Sequence, residues 1–283
     1  MLVRAHSPRL GVAGLAFALV VCVATPALAR ISGIGLIDYS RKTFKVGDWV
    51  RYKIEVSNSN GREAVNYQEV RIAGEEVFRG EPCIWVETWF GPDSANAAYD
   101  LTLLSADAFK DPQADVRFSM YARMMMLETD EEGAPEMTEI KRAGDSKTMP
   151  DMSSLRGQLD TLGTDKVETF RGPIEARMVR LHRKIRNPRD TADSTVNRIT
   201  DLTRTQWMSK RVPITSLVKE EETEDWLIQA YKLGEVSTKA PEVPISSETR
   251  KVQVIGWGTG VKSNYLALWR KKREQYKAPV GGL

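Results

Sequence analysis

The sequence predicts a mainly β protein: an antiparallel all-β or β-rich fold with one or two helices. Three observations predict it. Trp49–Val56 alternates strictly, with Val50, Tyr52, Ile54 and Val56 on one side and Trp49, Arg51, Lys53 and Glu55 on the other. That is the period-two pattern of a half-buried strand. Similar short segments recur along the chain with Gly, Asn and Pro clusters between them, as in antiparallel folds. One of them, Pro82–Phe90, is apolar on both sides, with Ile84, Val86 and Phe90 against Cys83, Trp85 and Trp89. Such a strand is buried on both faces or lines a concave apolar surface.

Residues 1–29 read as a secretory signal peptide. Arg4 and Arg9 precede an apolar run that ends at Ala27-Leu28-Ala29, an A-x-A cleavage pattern. The run from Leu10 to Ala24 is 15 residues, short of the roughly 20 that span a bilayer. Cys22 offers an alternative, an acylated lipoprotein terminus, but Val21 is bulky where such signals use a small residue. The expected mature domain is 30–283, exported to the periplasm. Without Arg4 and Arg9 it carries 39 basic against 38 acidic residues, which removes any electrostatic case for nucleic acid. It has one cysteine, Cys83, so stability has to come from a core and not from an internal disulfide.

Within this single β-rich domain the expected strands follow in order. After Trp49–Val56, Ser57–Gly61 is a turn whose Asn-Gly pair tolerates positive φ. Tyr67–Ala73 returns, and Pro82–Phe90, Leu101–Leu104 and Val116–Glu128 follow. Thr129–Thr164 is polar with scattered Gly and Pro and reads as a loop-rich insertion. Inside it, Leu155, Leu159 and Leu162 fall at helical spacing, so Met152–Leu162 is expected to be a short helix. Strands resume at Lys166–Arg171, Glu175–Lys184, Thr195–Trp207, Ile214–Val218, Asp225–Leu233 and Lys251–Trp257. Polar turns are expected at Arg186–Ser194 and Ser237–Ser247. Asn264–Lys277 reads as an amphipathic helix.

One stretch carries a resemblance. Trp207-Met208-Ser209 ends a strand, Val212-Pro213-Ile214 follows, and an apolar run closes on Val218-Lys219-Glu220. This pattern resembles bacterial envelope proteins of the lipoprotein-carrier type, the LolA/LolB-like fold. The Val46-Gly47-Asp48-Trp49 opening is similar to secreted relatives of that group. The resemblance covers Val46–Phe90 and Thr195–Leu233. It implies a mainly β architecture, a curved antiparallel sheet or half-open β-barrel, with helices plugging its concave side and acyl chains carried in the concavity. It transfers an architecture and a ligand class, not individual residues, and a shared fold does not establish a shared function.

The chemistry-bearing residues argue against catalysis. Gly256–Ser263 nearly reads as a phosphate-binding loop, but Val261 stands where a glycine must precede Lys262. His182 is the one histidine outside the signal segment, flanked by Arg180, Arg183 and Lys184. One His and one Cys do not build a zinc site, and no G-x-S-x-G accompanies it. Met120, Met124, Met125 and Met126 could bind Cu(I). Methionines also fill cores and line adaptable apolar grooves, so core or groove lining is expected of them. Paired acids such as Glu75-Glu76 and Glu220–Glu222 are read as solvated strand ends. No cofactor, metal or catalytic residue is expected.

The expected function is a non-catalytic binding or carrier protein for an apolar ligand such as a lipid or lipoprotein acyl chain. Trp85, Trp89, Met124 and Met126 are the groove candidates. Arg270, Lys271, Lys272 and Arg273 offer peripheral membrane contact beside Leu266 and Trp269. The alternative is an envelope protein-interaction or structural module with a filled core and no small-molecule ligand.

Overall fold

Among the described residues the elements are eleven strands and one helix. They are β1 (Trp49–Asn58), β2 (Glu63–Phe78), β3 (Glu81–Gly91), β4 (Ala98–Ser105), β5 (Tyr121–Thr129), β6 (Pro135–Glu139), β7 (Gln158–Val167), β8 (Ile174–Asp190), β9 (Ser194–Met208), β10 (Leu217–Lys232), β11 (Val243–Gly258) and helix α1 (Asn264–Lys277). The structure, a computed structural model, describes residues 44–78, 80–93, 96–105, 121–129, 135–139, 158–190, 193–232 and 240–277. The expected signal segment, residues 1–29, lies outside them.

The strands form one sheet in the order β6-β5-β4-β3-β2-β1-β11-β10-β9-β8-β7. Every pairing is antiparallel, and each strand lies beside its chain neighbour except at the central β1–β11 pair. The edge strands β6 and β7 do not pair with each other, so the sheet is curved but unclosed. Bulges bend it at Arg51/Tyr52, Ile72/Gly74 and Leu217/Lys219. The β7–β8 turn shows how far the sheet folds. Arg171 donates to the Trp257 carbonyl at 2.8 Å, and the Phe170 ring meets the Trp257 ring edge-on at 4.5 Å. In sheet order β8 is three strands from β11, about 14 Å on a flat sheet at the usual strand spacing. The turn reaches Trp257 by doubling back.

One face, here called the inner face, is buried across the sheet centre. Val50, Tyr52 and Ile54 of β1 pack with Val70 and Ile72 of β2, Val86 of β3, and Val252 and Val254 of β11. The β9–β10 loop closes one end of this core. Val212 and Ile214 in it are fully buried. The Tyr52 hydroxyl donates to the Leu217 carbonyl at 2.9 Å and bonds to Thr215 Oγ1. Here the expected strand Ile214–Val218 is corrected. β10 starts at Leu217, because Ile214 (φ 64) and Ser216 (φ 56) are left-handed and cannot extend a ladder.

The expected helix Met152–Leu162 is also corrected where it can be seen. Residues 158–162 belong to β7, paired with β8 and bulged at Gly163, while 152–157 lie outside the described residues. Leu159 and Leu162 are exposed, so their helical spacing marks no buried stripe. Other differences concern length. β6 and β7 occupy parts of the expected loop-rich insertion, β8 runs on through Arg186–Asp190, and β11 starts within the expected loop at Val243. Conversely, β7 ends at Val167, and residues 168–173 are a turn, not the strand expected over Lys166–Arg171. Residues 116–120 of the expected fifth strand lie outside the described residues. Helix α1 has the expected bounds.

Candidate functional site

Strand β3 is buried on both faces, one of the two expectations its composition allowed. Val86 joins the inner core, with Ile84 and Phe90 packed against it. Cys83 and Trp85 face the other way, into a second cluster with Leu101, Leu103, Leu266 and Trp269. That cluster is the seat of α1. Gly74, the residue after the β2 bulge, permits the close approach: a Cβ there would lie 2.6 Å from Leu266 Cδ2.

Polar contacts lock the helix in place. Ser263 caps it, accepting the Leu266 N–H at 2.9 Å, and its hydroxyl bonds to Glu87 of β3. Burial pushes the Glu87 carboxyl up, against the opposing pull of Ser263 and Arg71. Behind it, Arg71 bridges Glu87 (3.2 Å) and Glu69, and Arg51 meets Glu69 at 2.6 Å. The Arg51 guanidinium lies between the Trp49 and Trp89 rings, at 5.9 and 5.4 Å from their centroids. Farther along α1, Arg273 pairs with Glu76 at 2.5 Å and Lys272 with Glu136. Glu76 also accepts the Trp85 indole N–H at 3.0 Å. Burial would raise its pKa, but the bonds from Trp85 and Arg273 outweigh that and hold it low.

The four consecutive cations therefore divide. Residues on a helix turn about 100° apiece, so Arg270 to Arg273 cannot form one patch. Lys272 and Arg273 meet strand carboxylates. Arg270 and Lys271 line a cleft of about 610 Å³ between the root of α1, the turn before β1 and the β11–α1 loop. Its apolar lining is Val46, Ala73, Leu266 and Ala267, of which Leu266 is buried, and Lys262 joins Arg270 and Lys271 as its cations. Gly47 holds the turn at φ 91, where its carbonyl accepts the Val261 N–H at 3.2 Å.

The near phosphate-binding loop has another structural purpose. Gly256 and Gly258 lie on β11 directly against the Trp49 ring. A Cβ at Gly258 would sit 2.9 Å from Trp49 Nε1, and one at Gly256 3.1 Å from the ring. These glycines make room for an aromatic side chain across the β1–β11 pair. Lys262 is nevertheless part of the cleft, although its sequence context points only to a failed nucleotide loop.

The four groove candidates occupy different places. Trp85 is fully buried under α1, and Trp89 is 7% exposed beside Arg51 and Tyr99. Met124 and Met126 stand opposite Thr102 and Asp100, which stand opposite Val86 and Thr88. The register thus puts both methionine positions on the inner-face side, and Trp85 and Trp89 on the α1 side. The inner face beyond Ile54 is ionic, not apolar. Arg250 meets Glu220 at 2.5 Å, Gln206 donates to Glu220 at 2.7 Å, and Arg204 pairs with Glu222. His182 lies on the surface, 2.8 Å from Asp201, which Lys184 also approaches at 3.4 Å. Among the described residues no group of His, Cys, Asp and Glu is placed to hold a metal. Among them, too, no helix is long and apolar enough to cross a membrane.

No protein-family model matches the sequence, and no curated protein matches it. Solved structures similar to the chain include a DUF1329 family protein from Desulfovibrio piger, at 12% identity over 86% of this chain and 94% of that one, with TM-score 0.28. A LolA superfamily protein from Nitrosomonas europaea is similar at 7% identity over 83% of this chain and 97% of that one, with TM-score 0.26. No residue of the cleft takes its role from either.

Proposed function

We propose that this chain is a non-catalytic carrier of the cell envelope for an apolar ligand such as a lipid or a lipoprotein acyl chain. The observation behind the reading is the α1 cleft. Its apolar lining continues through Leu266 into the cluster that holds Trp85, Leu101 and Leu103. A chain entering there would replace helix contacts with its own. Each buried methylene would contribute about 0.8 kcal/mol. In this reading Trp85 and Trp89 belong to the ligand wall. Met124 and Met126, set on the other side of the sheet by register, would serve an inner-face ligand instead. The signal-like residues 1–29 support an exported, periplasmic location.

One observation favours the alternative, an interaction or structural module. Val212, Ile214 and Leu217 fill one end of the inner core, where a carrier of the resembled type would hold its cargo. Native mass spectrometry of protein purified gently from the envelope fraction, with organic extraction, separates the two. A co-purifying lipid of defined mass is the expected result. A clean apo mass, with a protein partner captured by cross-linking, would overturn the carrier reading. The same spectrum shows whether the chain starts at Arg30 or at an acylated Cys22.

A further inference from the structure

We infer that the α1 cleft recognises the phosphate of an anionic amphiphile, with Lys262, Arg270 and Lys271 as its ligands. The inference rests on the carrier reading for the apolar part of the same molecule. Three formal positive charges surround one opening, and no residue lining it is acidic. All three side chains are exposed. Among the described residues neither Lys262 nor Lys271 has a carboxylate partner, in contrast to Lys272 and Arg273 on the same helix. Arg270 makes one long bond, 3.4 Å to the Glu75 carbonyl, which leaves most of its donor fork for a ligand.

The chemistry favours phosphate over other headgroups. A guanidinium fork pairs two phosphate oxygens at once, and ammonium groups add point charge around them. A zwitterionic headgroup would bring its own cation into a site that already has three. The cleft also limits depth. Ser263, which lines the cleft, is committed to Glu87 and to the Leu266 N–H, so its hydroxyl has no donor left for an anion deeper in. The phosphate therefore stays with the exposed cations, while Ala73 and the buried Leu266 give the acyl part an apolar surface. Recognition runs through side chains, because Val261 occupies the place a phosphate-wrapping loop reserves for glycine.

The test uses the mature protein with two kinds of vesicle, phosphatidylcholine alone and an equimolar mixture with phosphatidylglycerol. Inorganic phosphate is titrated separately by calorimetry. Lys262→Ala/Lys271→Ala is the test variant, and Lys232→Ala/Lys251→Ala, exposed lysines away from the cleft, is the control. The expected result is binding to the mixed vesicles, weakened about 25-fold in the test variant at roughly five-fold per lysine and unchanged in the control. Phosphate binding with the same variant dependence but no vesicle binding would support the anion site and move its source to a soluble phosphate compound, overturning the carrier reading. Equal binding to both vesicle types, or no difference between test and control variants, would overturn the phosphate inference while leaving the carrier reading intact. Binding to neither vesicle nor phosphate would overturn the inference, and lipid extraction would then judge the carrier reading alone.

Discussion

Ile214 offers the sharpest test of the loop that closes the inner core. It is 1% exposed, and its backbone is left-handed at φ 64. A β-branched residue in that conformation is a strong outlier, and the left-handed region costs an L-residue roughly 1–2 kcal/mol. Truncating Ile214 to Ala removes a buried side chain at a cost of about 2–5 kcal/mol and keeps the backbone strain, because Ala retains Cβ. Going on to Gly loses a further buried methyl, about 0.8 kcal/mol, and about 0.7 kcal/mol of chain entropy. It also relieves about 1–2 kcal/mol of strain. The Ala-to-Gly step at 214 should therefore be nearly neutral. Val212, two residues away, is equally buried but is not among the positive-φ residues. There the same step should cost about 1.5 kcal/mol by the same two terms. Urea unfolding of Ile214→Ala, Ile214→Gly, Val212→Ala and Val212→Gly, compared at equal slope, reads both steps. An Ala-to-Gly cost at 214 as large as at 212 would refute a left-handed Ile214.

Two other perturbations have signs set by the structure. Burial pushes Asp100 up to about 7, helped by the charge of Glu87 and opposed by its bond from Thr102. An acid whose folded pKa lies above its unfolded value stabilises least when ionised, so this group should weaken the fold as pH rises from about 4 through about 7. Asp100→Asn should then gain up to about 4 kcal/mol on wild type near pH 8 and nothing near pH 4; urea midpoints showing no pH-dependent gap would contradict this. Gly258→Ala should cost about 1–3 kcal/mol through the Trp49 ring. Most of that cost should vanish in a Trp49→Ala background, and a double-mutant cycle with zero coupling would mean that the ring does not fill the space.

Most of the β architecture was legible because the strands that face the core on one side alternate cleanly, as β1 does. The two-sided burial of β3 was legible for the same reason, since both of its faces are apolar. The middle of β10 was not, because its alternating buried positions are Glu220, Glu222 and Glu224, acids that read as a solvated strand end. Nor was the β9–β10 loop. Val212 and Ile214 are as apolar as any strand residue, and nothing in their type signals left-handed backbone at Ile214. β7 misled through three leucines whose spacing fits a helix equally well. The cleft was half legible. The basic run was visible, but its division between carboxylates and cleft depends on Glu76 and Glu136, strand residues far away in sequence. Lys262 was hidden inside a motif whose glycines make room for Trp49.

The central β1–β11 pair has a consequence for how the chain reaches this fold. Strands β1 to β6 form one run of consecutive hairpins and β7 to β11 another, so each wing can assemble from contacts close in sequence. The seam is different: Trp49 lies opposite Gly258 and Ile54 opposite Val252. Closing it carries the loop entropy of nearly the whole domain, and such non-local pairings slow folding. Until the seam closes, β1 and β11 are both free edges, and the Val50, Tyr52 and Ile54 stripe has no β11 partner. The most aggregation-exposed moment in this protein's life is therefore the interval between forming its wings and joining them.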